Sequence, residues 1–142
     1  MHFKSLFFLF GLFFLFSCSP KIVSYTYVTG SMGGSSSIQI NTDSIFEVKM
    51  DRHGSVKNAM EFSKGEWKAL SKVGKSIDLN GVDTIKSPTH RRKVDAAPYA
   101  YLIFKTKDST YQSASFDGGE PPVKLKNVVN TMLTFSMIRK GK

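Results

Sequence analysis

An apolar run within the first 16 residues separates a leader from the rest of the chain. Leu6–Phe16 contains only Leu and Phe apart from one glycine, and Lys4 stands just before it. A helix of that length rises about 16 Å, roughly half of the hydrocarbon core of a bilayer. A short apolar run behind a positive charge is typical of a secretory signal peptide. The alternative, a buried core helix, is disfavoured because no polar face interrupts the run.

The single cysteine of the chain follows this run directly. Leu15 lies three residues before Cys18, and the small Ser17 lies immediately before it, as signal-peptide cleavage requires. These residues resemble the lipobox of bacterial lipoproteins, although Phe16 is bulkier than the residues commonest at that position. The resemblance covers residues 1–18 and implies that residues 1–17 are removed and that Cys18 is lipidated. The alternative is an unpaired thiol, since a lone cysteine cannot form an intramolecular disulfide.

The remaining 125 residues carry 19 Lys and Arg against 11 Asp and Glu. A domain of this size can hold one core without disulfides or a metal. Its positive balance suits a membrane surface, an acidic envelope protein or an acidic glycan. Nucleic acid is not expected as a partner, because an exported protein rarely meets it. The alternative is charge spread over the surface for solubility.

The first half of the domain has the pattern of short strands. Val23–Thr29 is rich in β-branched and aromatic residues, whereas the composition of Gly30–Ser37 favours a turn or flexible loop. Further strands are predicted at residues 38–40, 45–50 and 55–62. Within the second of these, alternation places Phe46, Val48 and Met50 on one face and Glu47 and Lys49 on the other.

The clearest helix begins at a capping box. Ser63 and Glu66 have the required spacing, and Phe62 and Trp67 occupy the hydrophobic-staple positions around them. Apolar residues then recur every three or four positions, and Asn80–Gly81 is the predicted end of the helix. The members of this stripe are Trp67, Leu70, Val73 and Ile77.

The second half is predicted to contain a connection over residues 82–93, a strand over 96–107, a returning strand over 110–116 and a second helix. In the first strand, Ala100, Leu102 and Phe104 share one face, and Tyr99, Tyr101 and Ile103 share the other. The buried stripe of the second helix comprises Leu125, Val128, Val129, Met132 and Leu133. The pattern predicts an α+β fold, with an antiparallel sheet of about five strands and two helices packed on one face. The predicted divisions are a tether at 18–22, one domain at 23–138 and a basic tail at 139–142.

Two segments contain candidate binding residues. Arg91, Arg92 and Lys93 form a basic cluster suited to carboxylate or phosphate groups, or else a solvated loop in which Asp95 pairs locally. Asp117 and Glu120 flank two glycines before the second helix. They indicate a structural turn and cap, or else a site for a small ligand or cation.

The sequence offers little for metal or covalent chemistry. His53 and His90 lie far apart and lack partners at metal-ligand spacing, so neither a metal nor another cofactor is expected. No nucleophile elbow is present, and no catalytic residue is assigned.

Three further strings look like those of small uncharacterised lipoproteins of the Bacteroidota type: residues 23–27, 96–100 and 115–119. In that group, acidic residues soon after the cysteine accompany surface export, and Ser19–Ile22 lacks them. The resemblance therefore implies a periplasm-facing anchor in the outer membrane. We expect a non-enzymatic binding or structural module of the cell envelope. The alternatives are a hydrolase using Asp117 and Glu120, or an inhibitor or immunity-type domain with an apolar patch along Tyr99, Tyr101 and Ile103.

Overall fold

A computed structural model describes residues 20–136 of the chain. The predicted signal peptide, Cys18 and the basic tail lie outside these residues. The described part is an α+β domain, as predicted, built on one antiparallel sheet. The strands are β1 (Ile22–Ser31), β2 (Gly34–Asn41), β3 (Ser44–Asp51), β4 (Gly54–Glu61), β5 (Tyr99–Thr106), β6 (Thr110–Gln112) and β7 (Phe116–Asp117). The helices are α1 (Lys64–Gly74), a 3-10 helix (Leu79–Thr84), α2 (Arg91–Val94) and α3 (Val123–Phe135).

The sheet is a meander extended by the second half of the chain. Its order is β4-β3-β2-β1-β5-β6, and β7 also pairs with β5. Strand β1 lies in the middle, where Tyr27 is opposite Ile38 of β2 and Leu102 of β5. The prediction of about five strands and two helices is roughly consistent with this architecture, and β6 lies within the returning strand predicted over 110–116. The additional elements are β7, α2 and the 3-10 helix, which are too short to produce a periodic pattern.

The predicted loop at Gly30–Ser37 is mostly strand, so that prediction was wrong. Strand β1 continues to Ser31 and β2 begins at Gly34, which leaves a two-residue turn. The small residues pair across the hairpin, and the ring of Tyr99 covers Gly30. A Cβ atom at Gly30 would lie 2.7 Å from the Tyr99 hydroxyl oxygen, so the glycine makes room for the ring. Composition alone does not reveal this packing partner, which comes from β5.

Helix α1 begins as predicted but ends earlier. The Ser63 side chain accepts a hydrogen bond from the Glu66 amide at 3.2 Å, and the Glu66 carboxylate accepts one from the Ser63 amide at 2.9 Å. The helix ends at Gly74, not near Asn80, and the Ile77 amide then donates to the Gly74 carbonyl. A new helical turn follows, and Asp78 caps it by accepting from the Asn80 amide at 3.1 Å.

Helices α1 and α3 contribute to one core on a single face of the sheet. At its centre, the Tyr25 ring packs edge-on against Phe104 and Trp67, with ring centroids 5.8 and 5.7 Å apart. Four of the five residues predicted as the α3 stripe are buried, and Leu133 packs against them half-exposed. None of the helices in the described range has both the length and the apolar character needed to cross a membrane.

Strand β3 alternates as predicted, but its charged residue Glu47 faces inward. Ile45 and Glu47 are buried on the helix-covered face, and Glu47 is only 2% exposed. Phe46 and Met50 lie on the opposite face, where they are 43% and 53% exposed. The apolar residues of β3 therefore do not all enter the core, and several belong to a sheet face that no described helix covers.

Candidate functional site

The two predicted segments come together at one end of the sheet. The Asp117 carboxylate of β7 accepts hydrogen bonds from the Arg91 and Arg92 backbone amides at 2.7 and 3.0 Å, and thereby caps α2. The Arg92 guanidinium pairs with Asp117 at 3.0 Å, and that of Arg91 pairs with Glu120. The Thr89 hydroxyl lies between the acids, 2.5 Å from Asp117 and 2.9 Å from Glu120. We call these five residues the clamp.

Asp117 is held in its ionised form. Its side chain is 1% exposed, and burial alone would raise the pKa of the carboxyl. Hydrogen bonds from the Thr89 hydroxyl, the Arg92 amide and guanidinium, and the Arg91 amide outweigh burial and hold the pKa well below its usual range. A carboxyl in this state does not supply a proton near neutral pH, so Asp117 is unsuited to act as a general acid.

The buried half of the clamp, Asp117 and Arg92, has several hydrogen-bond partners. The Arg92 side chain is 12% exposed, and its guanidinium also donates to the carbonyls of Thr89 and Ser115 at 3.2 and 2.7 Å. Arg91 and Arg92 each pair with an internal carboxylate, and the Arg91 side chain is also 55% exposed, so binding of an external anion stays a prediction. Local pairing with Asp95 was the other interpretation of the sequence, and the ion pairs instead reach Asp117 and Glu120. The clamp joins the segment around α2 to β7 and the turn that follows it.

One predicted binding residue lies outside the clamp, and one residue of the clamp was not predicted from the sequence. Lys93 is exposed, and no hydrogen bond or ion pair joins it to the other predicted residues. Thr89, which touches both carboxylates, was not among the predicted residues because a single uncharged hydroxyl gives no signal in the sequence. Only the pairing of β7 with β5 brings the two segments together, and β7 is two residues long.

The uncovered face of the sheet is the second candidate. Tyr99 and Tyr101 project from β5 with parallel rings, 6.3 Å between centroids and 4° between planes. Tyr99 is 41% exposed, and it begins a row across the sheet through Gly30 and Ser35 to Met50. Two parallel rows complete the surface, which we call the open face. Those rows are Tyr101, Val28, Ser37, Val48 and Lys57, and then Ile103, Thr26, Gln39, Phe46 and Ala59.

The open face has apolar residues on β5 and β3 and a band of polar residues on β2 between them. Tyr99, Tyr101 and Ile103 lie on β5 at one side, and Phe46 and Met50 lie on β3 towards the other. Between them, β2 contributes the half-buried hydroxyls of Ser35 and Ser37 and the exposed amide of Gln39. The sheet registers place Lys57 of β4 on this face and Lys105 of β5 at its end.

Comparison with models of known protein families finds no match, and no curated protein matches the sequence significantly. Within residues 20–136 there is also no group of three or more His, Cys, Asp or Glu side chains placed to hold a metal ion. Functional assignment therefore depends on the surfaces described above.

Proposed function

We propose that the protein is a non-enzymatic binding module of the bacterial cell envelope that binds an acidic glycan on its open face. In this proposal lipidated Cys18 anchors it to the outer membrane, facing the periplasm. The observation that carries the binding proposal is the exposure of Tyr99, Phe46 and Met50 on one sheet face, with half-buried Tyr101 beside Tyr99. The anchor rests on the sequence around Cys18 alone.

The chemistry of the open face favours a glycan. Aromatic rings such as Tyr99 and Tyr101 pack against the C–H faces of sugar rings, and their hydroxyls remain available for hydrogen bonds. The Ser35, Ser37 and Gln39 side chains offer donors and acceptors that match sugar hydroxyls. Lys57 and Lys105 favour a ligand that carries carboxylate or phosphate groups.

The size of the open face also favours a glycan over a protein. Five strands about 4.8 Å apart and three rows of side chains span about 500 Å². A stable protein complex buries about 800 Å² on each partner, and its centre is depleted of polar groups. The open face is smaller than this and has a polar centre, so a sugar chain lying across the strands fits it better than a second protein surface.

Binding is tested with the Cys18→Ala mature chain and three probes: peptidoglycan sacculi, lipopolysaccharide and neutral dextran. We expect binding to an acidic probe, weakened about tenfold or more in Tyr99→Ala/Tyr101→Ala, because each ring supplies roughly 1 kcal/mol. Val94→Ala/Val123→Ala is the matched control, since these apolar residues are 80% and 87% exposed elsewhere. Equal binding by both double variants, or none by the parent chain, would contradict the proposal.

The inhibitor or immunity-type domain is the second candidate, because it too requires an exposed patch along Tyr99, Tyr101 and Ile103. Crosslinking in the native cell distinguishes this candidate from the glycan-binding proposal. Reproducible capture of one envelope enzyme, lost in Tyr99→Ala/Tyr101→Ala and accompanied by inhibition of that enzyme, would replace the glycan with a protein partner.

The anchor has its own test, which is independent of the ligand. The wild type is expected in the membrane fraction with an acyl label, and the Cys18→Ala form in the soluble fraction without one. A wild-type chain that carries no acyl label would refute the anchor and leave the binding proposal intact.

A further inference from the structure

A cavity of about 680 Å³ lies between the start of β1 and the end of α1. It is on a different part of the molecule from the clamp and the open face, and its volume falls within the range of about 300–1,000 Å³ for small-molecule pockets. Its inner lining is buried and largely apolar. The buried lining residues are Ile22, Tyr25, Gly74 and Leu79, with half-buried Ile77 beside them.

The floor of the cavity is closely packed. The Tyr25 ring is 1% exposed and is fixed between Trp67 and Phe104. Gly74 lies against the Tyr25 phenol, and a Cβ atom there would come within 2.8 Å of the ring carbon that bears the hydroxyl. Burial raises the pKa of Tyr25 to about 12, so the phenol remains protonated at physiological pH.

The outer lining is polar and carries a positive balance. Lys21 and Lys75 are exposed lining residues, and Asp78 is the only acidic one among the lining residues that the structure describes. The Asp78 carboxylate is already engaged, since it caps the 3-10 helix through the Asn80 amide. Two lysines and one carboxylate leave a net charge of +1 in front of an apolar interior, which is complementary to a molecule that has an apolar body and an anionic end.

We propose that this cavity binds a fatty-acid-like amphiphile, with its acyl chain against Ile22, Ile77 and Leu79 and its carboxylate beside Lys21 and Lys75. The acyl chain replaces water over the apolar lining, which supplies most of the affinity at about 0.8 kcal/mol per buried methylene. The exposed lysines select the anionic end and contribute less, since solvent screens them.

The test uses calorimetry on the Cys18→Ala mature chain, with laurate below its micelle concentration as the probe. Dodecanol supplies the chain without the charge, and inorganic phosphate supplies an anion without the chain. We expect one laurate per protein, weaker binding of dodecanol and no measurable binding of phosphate. Absence of stoichiometric laurate binding, or phosphate binding as tight as laurate, would overturn the proposal.

Two pairs of variants locate the site. Lys21→Glu/Lys75→Glu is expected to weaken laurate binding about tenfold. Lys64→Glu/Lys68→Glu makes the same charge change on exposed residues of α1 outside the cavity and should leave binding unchanged. Ser71→Phe fills the cavity and should abolish binding, whereas Ala69→Phe, on the same helix but outside the lining, should not. The assignment of laurate to this cavity would be refuted if a cavity variant and its matched control bound laurate with equal affinity.

Discussion

Two glycines in the same helix are expected to respond in opposite directions to replacement by alanine. Gly74 is the last residue of α1, and a Cβ atom there would lie 2.8 and 2.9 Å from two ring carbons of Tyr25. The ring cannot retreat, because it is 1% exposed and packed on Trp67 and Phe104. Overpacking costs about 1–3 kcal/mol, whereas the gain in helix propensity is at most about 1 kcal/mol. Gly74→Ala should therefore lower the free energy of unfolding by about 1–2 kcal/mol.

Gly65→Ala is the matched control within the first turn of α1. The nearest atom to its Cβ would be the Ser63 hydroxyl oxygen at 3.9 Å, which is an ordinary contact. This variant should be as stable as the parent or more stable, by up to about 1 kcal/mol. Urea and thermal unfolding followed by circular dichroism measure both, and 1 kcal/mol corresponds to about 3–6 °C in Tm. A Gly74→Ala protein as stable as Gly65→Ala would refute the packing argument.

Three further predictions concern the cap, the clamp and the core. Ser63→Ala removes the acceptor of the capping box and should cost about 1 kcal/mol in urea unfolding; an unchanged midpoint would contradict the capping role. Asp117→Asn should lower the free energy of unfolding at pH 7. Because the folded-state pKa of Asp117 is depressed, the stability that Asp117 contributes beyond Asn is present above pH 3.8, the ordinary pKa of the carboxyl, and is lost as the pH falls further. A difference that persists unchanged at pH 2 would refute that cause. Leu102→Ala, at a fully buried position, should cost about 2–5 kcal/mol in the same assay, and a cost below 1 kcal/mol would place Leu102 outside the core.

Local signals in the sequence predicted the longer elements well. The Ser63 and Glu66 pair fixed the start of α1, because a capping box uses only residues three apart. The alternation through Leu102 and Phe104 identified the buried face of β5, since side chains in a strand point to opposite faces in turn. The end of α1 was missed because the apolar spacing continues through Ile77, beyond the last helical residue Gly74.

The sequence identified four of the five residues of the clamp but not the ion pairs between them. Arg91, Arg92, Asp117 and Glu120 were all singled out, yet nothing local indicated that they neutralise one another. That outcome depends on the pairing of β7 with β5, which brings segments about 25 residues apart into contact. The sequence predicted an exposed patch along Tyr99, Tyr101 and Ile103 only if no helix covered that face of the sheet. Whether a helix covers them is a question of topology that periodicity does not answer.

Because the Asp117 carboxylate caps α2 from a distant part of the chain, the Arg91 and Arg92 amides report on local opening of this segment. A helix of four residues is not stable by itself, so α2 forms only after Asp117 has reached it. The Arg91 and Arg92 amides, which bond to that carboxylate, therefore exchange their hydrogens with solvent only when the segment separates from β7. Their exchange rates should rise together and before those of the central strands. We therefore expect this segment to open before the central strands.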